Sequence, residues 1–167
     1  MEINESREHF YGLKEEDIKL FVGNKHEYYL EKWKNSSNAE TTRSWNWMSF
    51  LGGLFWFGYR KMYTVVYSIL GIYLLLDILG YIINIDLSKT GTGISVISGL
   101  LGNNLYYKHV KKKINHIYTN TYSNRDIQKN IKDSGGTSWK GVIYVVVLVI
   151  LYVIIATLLE IFLKENI

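Results

Sequence analysis

The sequence predicts an all-α integral membrane protein: a short cytoplasmic helical arm, an interfacial or re-entrant aromatic segment, and about three transmembrane helices. Three observations carry this. The chain is 20% charged with a mean hydropathy of −0.00, yet residues 44–59 and 141–159 hold no charge, so the average conceals a division into polar and apolar segments. The stretch 141–163 is a Val-Ile-Leu run longer than any ordinary β-strand, which makes it a helix long enough to cross a bilayer. The 167 residues also include neither cysteine nor proline, which excludes disulfide scaffolds, iron–sulfur clusters, thiolate zinc sites, cysteine nucleophiles and proline-rich linkers.

Residues 1–43 form the polar arm, with nine acidic side chains against seven Lys and Arg. It has no apolar run of signal-peptide length, and the expectation is that it is retained. Ile18, Phe21 and Val22 share one helical face, and Gly23 can end that helix with a left-handed backbone. Asn24 and Glu27 then form a capping-box pattern that starts a second helix carrying Tyr29, Leu30 and Trp33. The result is a helical hairpin over 14–34, followed by linker composition at 35–42.

Residues 44–107 hold the aromatic segment and a transmembrane hairpin. The segment 44–59 is about 24 Å long as a helix against a hydrocarbon core of about 30 Å, too short to span comfortably. Trp45, Trp47 and Trp56, Tyr59 at its end and a Gly52-Gly53 pair suit a helix lying in the interface or dipping in and returning. Residues 62–85 can span, with Asp77 as their one charge. Residues 90–107 are uncharged but rich in glycine and asparagine, and span only as the partner of another helix.

The connection 108–140 holds eight Lys and Arg against two Asp. Positive-inside therefore places it in the cytoplasm, together with the arm, and lets the last span, within 141–167, exit. Both ends of 44–59 then lie on the cytoplasmic side, which independently favours an interfacial or re-entrant segment. Tyr59, Tyr63, Tyr106, Tyr107 and Trp139 would form an aromatic belt at that face.

The stretch Asn46-Trp47, Phe50, Phe55-Trp56 and Tyr59-Arg60-Lys61-Met62-Tyr63 resembles the signature of a bacterial family of uncharacterised small membrane proteins, domain of unknown function 2628. Phe21-Val22-Gly23 with Tyr28, Tyr29 and Trp33 is similar to the lead-in of many members. Gly102-Asn103, Tyr106 and Lys108-His109-Val110 resemble the return after the first hairpin. The resemblance covers roughly 15–118 and implies architecture and a place in the bacterial plasma membrane, but no activity. Some members carry a zinc ribbon ahead of this region, which a chain without cysteine lacks.

Asp77 stands out among single residues, because a carboxylate inside a span costs about 2.5–3.5 kcal/mol. Its plain role is structural, a hydrogen bond to Ser95, Ser98 or a backbone group. The sharper role is a proton or ion relay, with Asn103 and Asn104 as further intramembrane polar candidates. Gly91, Ser95 and Gly99, and separately Ser98 and Gly102, recur four apart, which lets membrane helices approach closely, with Ser68 and Gly71 as the expected counterpart. Arg60, Lys61, Lys108, Lys111, Lys112 and Lys113 form a basic rim suited to anionic lipid headgroups rather than nucleic acid, and Arg60 also caps the carboxyl end of the aromatic segment. His109 and His116 share a face without an acid at ligand spacing, which reads as solvated polar residues, not a metal site.

No catalytic series or cofactor motif appears, so neither an enzyme nor a cofactor is expected. The function expected is contact with lipid and with a membrane or cytoplasmic protein, as an accessory, envelope-associated or immunity-type protein, with Phe21, Tyr29 and Trp33 offering a docking face. The alternative is an oligomeric pore or ion-coupled transporter subunit using Asp77.

Overall fold

A computed structural model describes residues 9–10, 12–34, 44–85 and 90–166; the linker expected at 35–42 lies outside them. The described chain is helical apart from one antiparallel pair of two-residue strands, β1 (His9–Phe10) and β2 (Leu13–Lys14), in the register His9↔Lys14 and Phe10↔Leu13. It divides into two compact units: Met1–Asn46 with Leu100–Thr137, and Trp47–Gly99 with Ser138–Ile167. Only helix α5 contributes to both.

The first unit begins with the strand pair and α1 (Glu15–Val22), whose first turn carries Glu15, Glu16 and Asp17 where the helix dipole favours negative charge. Gly23 ends α1 at φ +74°. The chain restarts through a 3₁₀ turn, Gly23–Lys25, rather than the expected capping box, and the Nδ1 of His26 bonds the Gly23 carbonyl at 2.9 Å as α2 (His26–Lys34) begins. These helices form the hairpin expected over 14–34.

Helix α5 (Thr90–Asn120) runs unbroken for 31 residues. From Leu100 onward it belongs to the first unit, where Tyr106, Tyr107, Val110, Ile114 and Ile117 recur at helical spacing and are buried. Against them lie Tyr29 and Trp33, with ring centroids 4.8 Å apart for Tyr29–Tyr106 and 5.2 Å for Trp33–Tyr107. Helix α6 (Asn124–Ser134) then packs Ile127 and Ile131, one turn apart, against α1. Just beyond it the Gly136 amide donates to the Phe21 carbonyl at 2.6 Å, satisfying a group that the end of α1 leaves without an intrahelical partner. Gly135 passes so close to the Phe21 backbone that a Cβ there would strike it.

This arrangement corrects one expectation. Phe21, Tyr29 and Trp33 are 1%, 4% and 0% exposed, so they form a core and offer no docking face. Their partners lie on α5: Tyr106 and Tyr107 for Tyr29 and Trp33, and His109 for Phe21. Most of residues 108–140 are helical.

The second unit comprises α3 (Trp47–Tyr59), α4 (Tyr63–Ile82), residues 90–99 of α5, and α7 (Trp139–Asn166). Helix α3 is broken at Gly53, which takes φ +45° and ψ −125°. It ends in a Schellman motif: the Met62 amide bonds the Phe57 carbonyl at 2.8 Å, the Lys61 amide bonds Gly58 at 3.0 Å, and Lys61 holds the positive φ, +59°. The flanking Phe57 and Met62 side chains are buried, as that motif favours.

Among the described residues, two helices are long and apolar enough to cross a membrane, Tyr63–Ile82 and Trp139–Lys164. Only 6% of each apolar stretch is buried inside the molecule. Helix α5 is long enough, about 46 Å at 1.5 Å per residue, but is not among them. Its glycines, Asn103 and Asn104 dilute the apolar stretch.

Candidate functional site

Five tyrosines and Asp77 of the second unit gather where α4 meets α7. The two helices begin together because the chain entering α4 touches the start of α7. The Ser138 amide bonds the Tyr59 carbonyl at 2.8 Å, and Gly58 and Gly141 pass backbone to backbone. A Cβ on Gly141 would fall on the Gly58 carbonyl and within 2.9 Å of the Tyr63 hydroxyl, while a Cβ on Gly58 would meet Val145. Tyr59 stacks edge-on with Trp139 at 5.4 Å just outside this point.

From there a seam of tyrosines runs along both helices. Tyr63 lies 5.4 Å from the Tyr144 ring, and the Tyr67 and Tyr144 hydroxyls are 2.6 Å apart. Tyr73 faces Tyr152 at 6.3 Å, and the Tyr152 hydroxyl donates to Asp77 Oδ2 at 2.5 Å. Partners rise in number together on the two helices, so α4 and α7 run parallel.

Asp77 thus finds its hydrogen bond on the last helix rather than on Ser95 or Ser98. The Ser95 hydroxyl bonds back to the Gly91 carbonyl at 3.0 Å within its own helix. The Ser98 carbonyl accepts from Ser49 of α3 at 2.9 Å. The small residues of α5 also do not meet Gly71, around which a Cβ would find nothing within 4 Å; Gly91 has only the Tyr73 hydroxyl nearby, at 3.7 Å. Gly99 and Gly102 are buried. The close glycine contact is Gly58 with Gly141, which spacing within one segment could not reveal because the two lie far apart in sequence. Tyr144 and Tyr152 were visible only as polar interruptions of an apolar run.

Asn103 and Asn104 belong to the other unit. Asn103 is fully buried; its side chain accepts from Asn46 Nδ2 at 2.8 Å and donates to the Ser44 hydroxyl at 2.8 Å, and its carbonyl accepts from Trp33 Nε1 at 3.0 Å. Asn104 is 6% exposed.

Among the interface candidates, Trp47 is 64% exposed, Trp45 is half-buried and Trp56 is buried. Arg60 is buried at the end of α3, and Lys61 and Lys111 are half-buried. Lys108, Lys112 and Lys113 are exposed. Tyr106 and Tyr107 are 0% exposed, core residues of the first unit.

Among the described residues of the first unit, three polar groups carry shifted titrations. His109 is half-buried, with its ring 5.9 Å from Phe21; burial, then the charges of Lys113 and Lys112, push it down to about 4. The Tyr118 hydroxyl donates to the buried carboxylate of Asp17 at 2.7 Å, and partial burial of the phenol, with that acceptor, pushes it up to about 12. Lys34 at 2.7 Å, with Lys19 at 3.1 Å, holds Glu15 below its usual range. Sequence reasoning missed Asp17; an acid at the start of α1, one residue before the core position Ile18, was the available signal. His116 is exposed, and the described residues contain no group of three His or acidic side chains able to hold a metal.

The model of a family described as protein of unknown function, DUF2628, matches residues 14–112. No curated protein and no solved structure matches the chain.

Proposed function

Because the chain belongs to the DUF2628 family, from which no activity follows, we propose from its physics a non-enzymatic, multi-pass protein of the bacterial cell membrane that works by protein and lipid contact. The contrast between the two units carries this reading. The first buries an aromatic core; the second leaves Leu51 at 75%, Ile82 at 61% and Phe162 at 60% exposure along its helices. Continuous apolar surface of that extent suits hydrocarbon, not water.

The parallel course of α4 and α7 supports three passes. Two parallel spans begin on the same face, so the chain between them must return, and the uncharged residues 90–107 of α5, about 27 Å long as a helix, are the stretch that would make that return. Positive-inside then assigns the face of Lys108 and Lys111–Lys113 to the cytoplasm, with the N-terminal arm, and the end of α7 to the exterior. Exposed lysines at that face attract anionic headgroups at about 1 kcal/mol each. Helix α3, broken at Gly53 and exposing Trp47, Met48 and Leu51, suits an interfacial or re-entrant element on the same side.

The pore or transporter alternative has less support. Of its three polar groups, Asn103 is already engaged by Asn46 and Ser44, and Asn103 and Asn104 both belong to the first unit whereas Asp77 belongs to the second. Carbonate extraction of cell membranes, together with a reporter fused after Ile167, tests the proposal. The chain should stay in the pellet and the reporter should be external. Release into solution, or a cytoplasmic reporter, would overturn it.

A further inference from the structure

We propose that the exposed side of the α4–α7 seam is a self-association surface, on which a second copy of this chain docks in a parallel two-fold contact centred on Asp77 and Tyr152. The proposal rests on the membrane placement above.

Hydrogen-bond valence carries it. Asp77 is exposed on the helix surface, and of its two carboxyl oxygens only Oδ2 is engaged, by Tyr152; among the described residues nothing reaches Oδ1. The Tyr67 and Tyr144 rings are 49% and 41% exposed, and their hydroxyls share one hydrogen bond although they carry two protons. One proton is left without an acceptor among the described residues. Water would satisfy both sites, but at bilayer depth there is little of it, and unmet polar groups there are costly.

The arrangement is its own complement. Tyr67 and Asp77 are separated by about 15 Å along α4. A two-fold axis along the membrane normal sets each residue opposite its equivalent at the same depth. The spare hydroxyl proton of one Tyr67–Tyr144 pair then meets a hydroxyl oxygen of the other. The two Asp77 carboxyl groups then meet across the axis in one shared hydrogen bond, each still anchored by its own Tyr152. A foreign helix would need suitable donors and acceptors at both depths. A second copy has them by symmetry. Leu151 and Ile155 follow Tyr144 at helical spacing and are 49% and 52% exposed, supplying apolar area beside the polar pairs.

The test uses the full chain in phosphatidylcholine–phosphatidylglycerol vesicles, labelled with donor or acceptor dye at a single cysteine added after Ile167. The absence of native cysteine makes that label unique. Energy transfer across a dilution series in lipid should report a dimer. Asp77→Leu combined with Tyr152→Phe should weaken it by about tenfold, the size expected for interhelical hydrogen bonds. Asp77→Asn, whose amides can pair with each other, should stay within about threefold of the native chain, and the Tyr67→Phe, Tyr144→Phe double variant should weaken it independently. Native-level transfer in both double variants would overturn the proposal. So would a monomeric native chain, the result expected if a foreign helix covers the seam. Flotation of the same vesicles separates the two claims: a chain that does not float refutes the membrane placement, whereas one that floats as a monomer refutes the dimer alone.

Discussion

The indole N–H of Trp33 donates to the main-chain carbonyl of Asn103 at 3.0 Å, across 70 positions of sequence. It ties the N-terminal arm to α5 at the one polar atom of a side chain that is otherwise wholly buried among Tyr29, Tyr106 and Tyr107. Trp33→Ala should therefore cost the first unit about 3–5 kcal/mol, and Trp33→Phe, which keeps most of the apolar body, about 1–3 kcal/mol. Denaturant unfolding followed by protease resistance of α1 and α2 measures both. An unchanged midpoint for the alanine variant would show that the arm does not pack as described.

At the other unit the prediction is steric. Gly141→Ala places a methyl group on the Gly58 carbonyl, and with backbone on both sides neither partner can yield cheaply. The variant should lose about 1–3 kcal/mol of thermal stability in detergent, as overpacked cores do. Gly71→Ala, with open space around its Cβ, is the matched control and should be neutral or slightly stabilising.

His109 predicts acid sensitivity. Its folded value near 4 lies below the ordinary 6.5. Between those values the unfolded chain binds more protons than the folded one, so the contribution to stability is complete above pH 6.5 and disappears as pH falls toward 4. The loss is at most about 3 kcal/mol. His109→Phe should flatten this part of the stability–pH curve; an unaltered slope between pH 6.5 and 4 would show that the ring is solvated in the folded protein.

Tyr118 predicts the opposite limb. Its folded value, raised to about 12 from 10, favours the neutral phenol, so its contribution is complete below pH 10 and is lost as pH rises toward 12. Tyr118→Phe should remove the alkaline loss and leave the buried Asp17 carboxylate without this donor, with lower stability at pH 7. Parallel unfolding series at pH 7 and pH 11 separate the two effects.

Much of the architecture was legible in the sequence because it depends on local periodicity and length. The helices at 14–34, the break at Gly52-Gly53 and the two long apolar helices follow from side chains a few positions apart. What escaped depends on distant pairing. The faces of Phe21, Tyr29 and Trp33 look equally apolar whether they await a partner protein or α5, and only the stripe from Tyr106 to Ile117 decides between those outcomes. The glycines that matter at close range were Gly58 and Gly141, one in each of two segments, rather than the repeat within 90–107. Asp77 was conspicuous as the lone charge of its span, but its donor Tyr152 lies 75 positions later.

The discontinuity of the first unit also constrains how the chain is made. The arm is synthesised first, yet Trp33 waits for Asn103, and the end of α1 waits for Gly136. At about 5–20 residues per second that interval is on the order of ten seconds. Throughout it Ile18, Phe21 and Trp33 have no core to enter, while the strongly apolar α4 is already leaving the ribosome. Nascent chains halted between Gly99 and Gly136 should therefore be the most dependent on chaperones, a vulnerability that belongs to biosynthesis and leaves no trace in the stability of the finished protein.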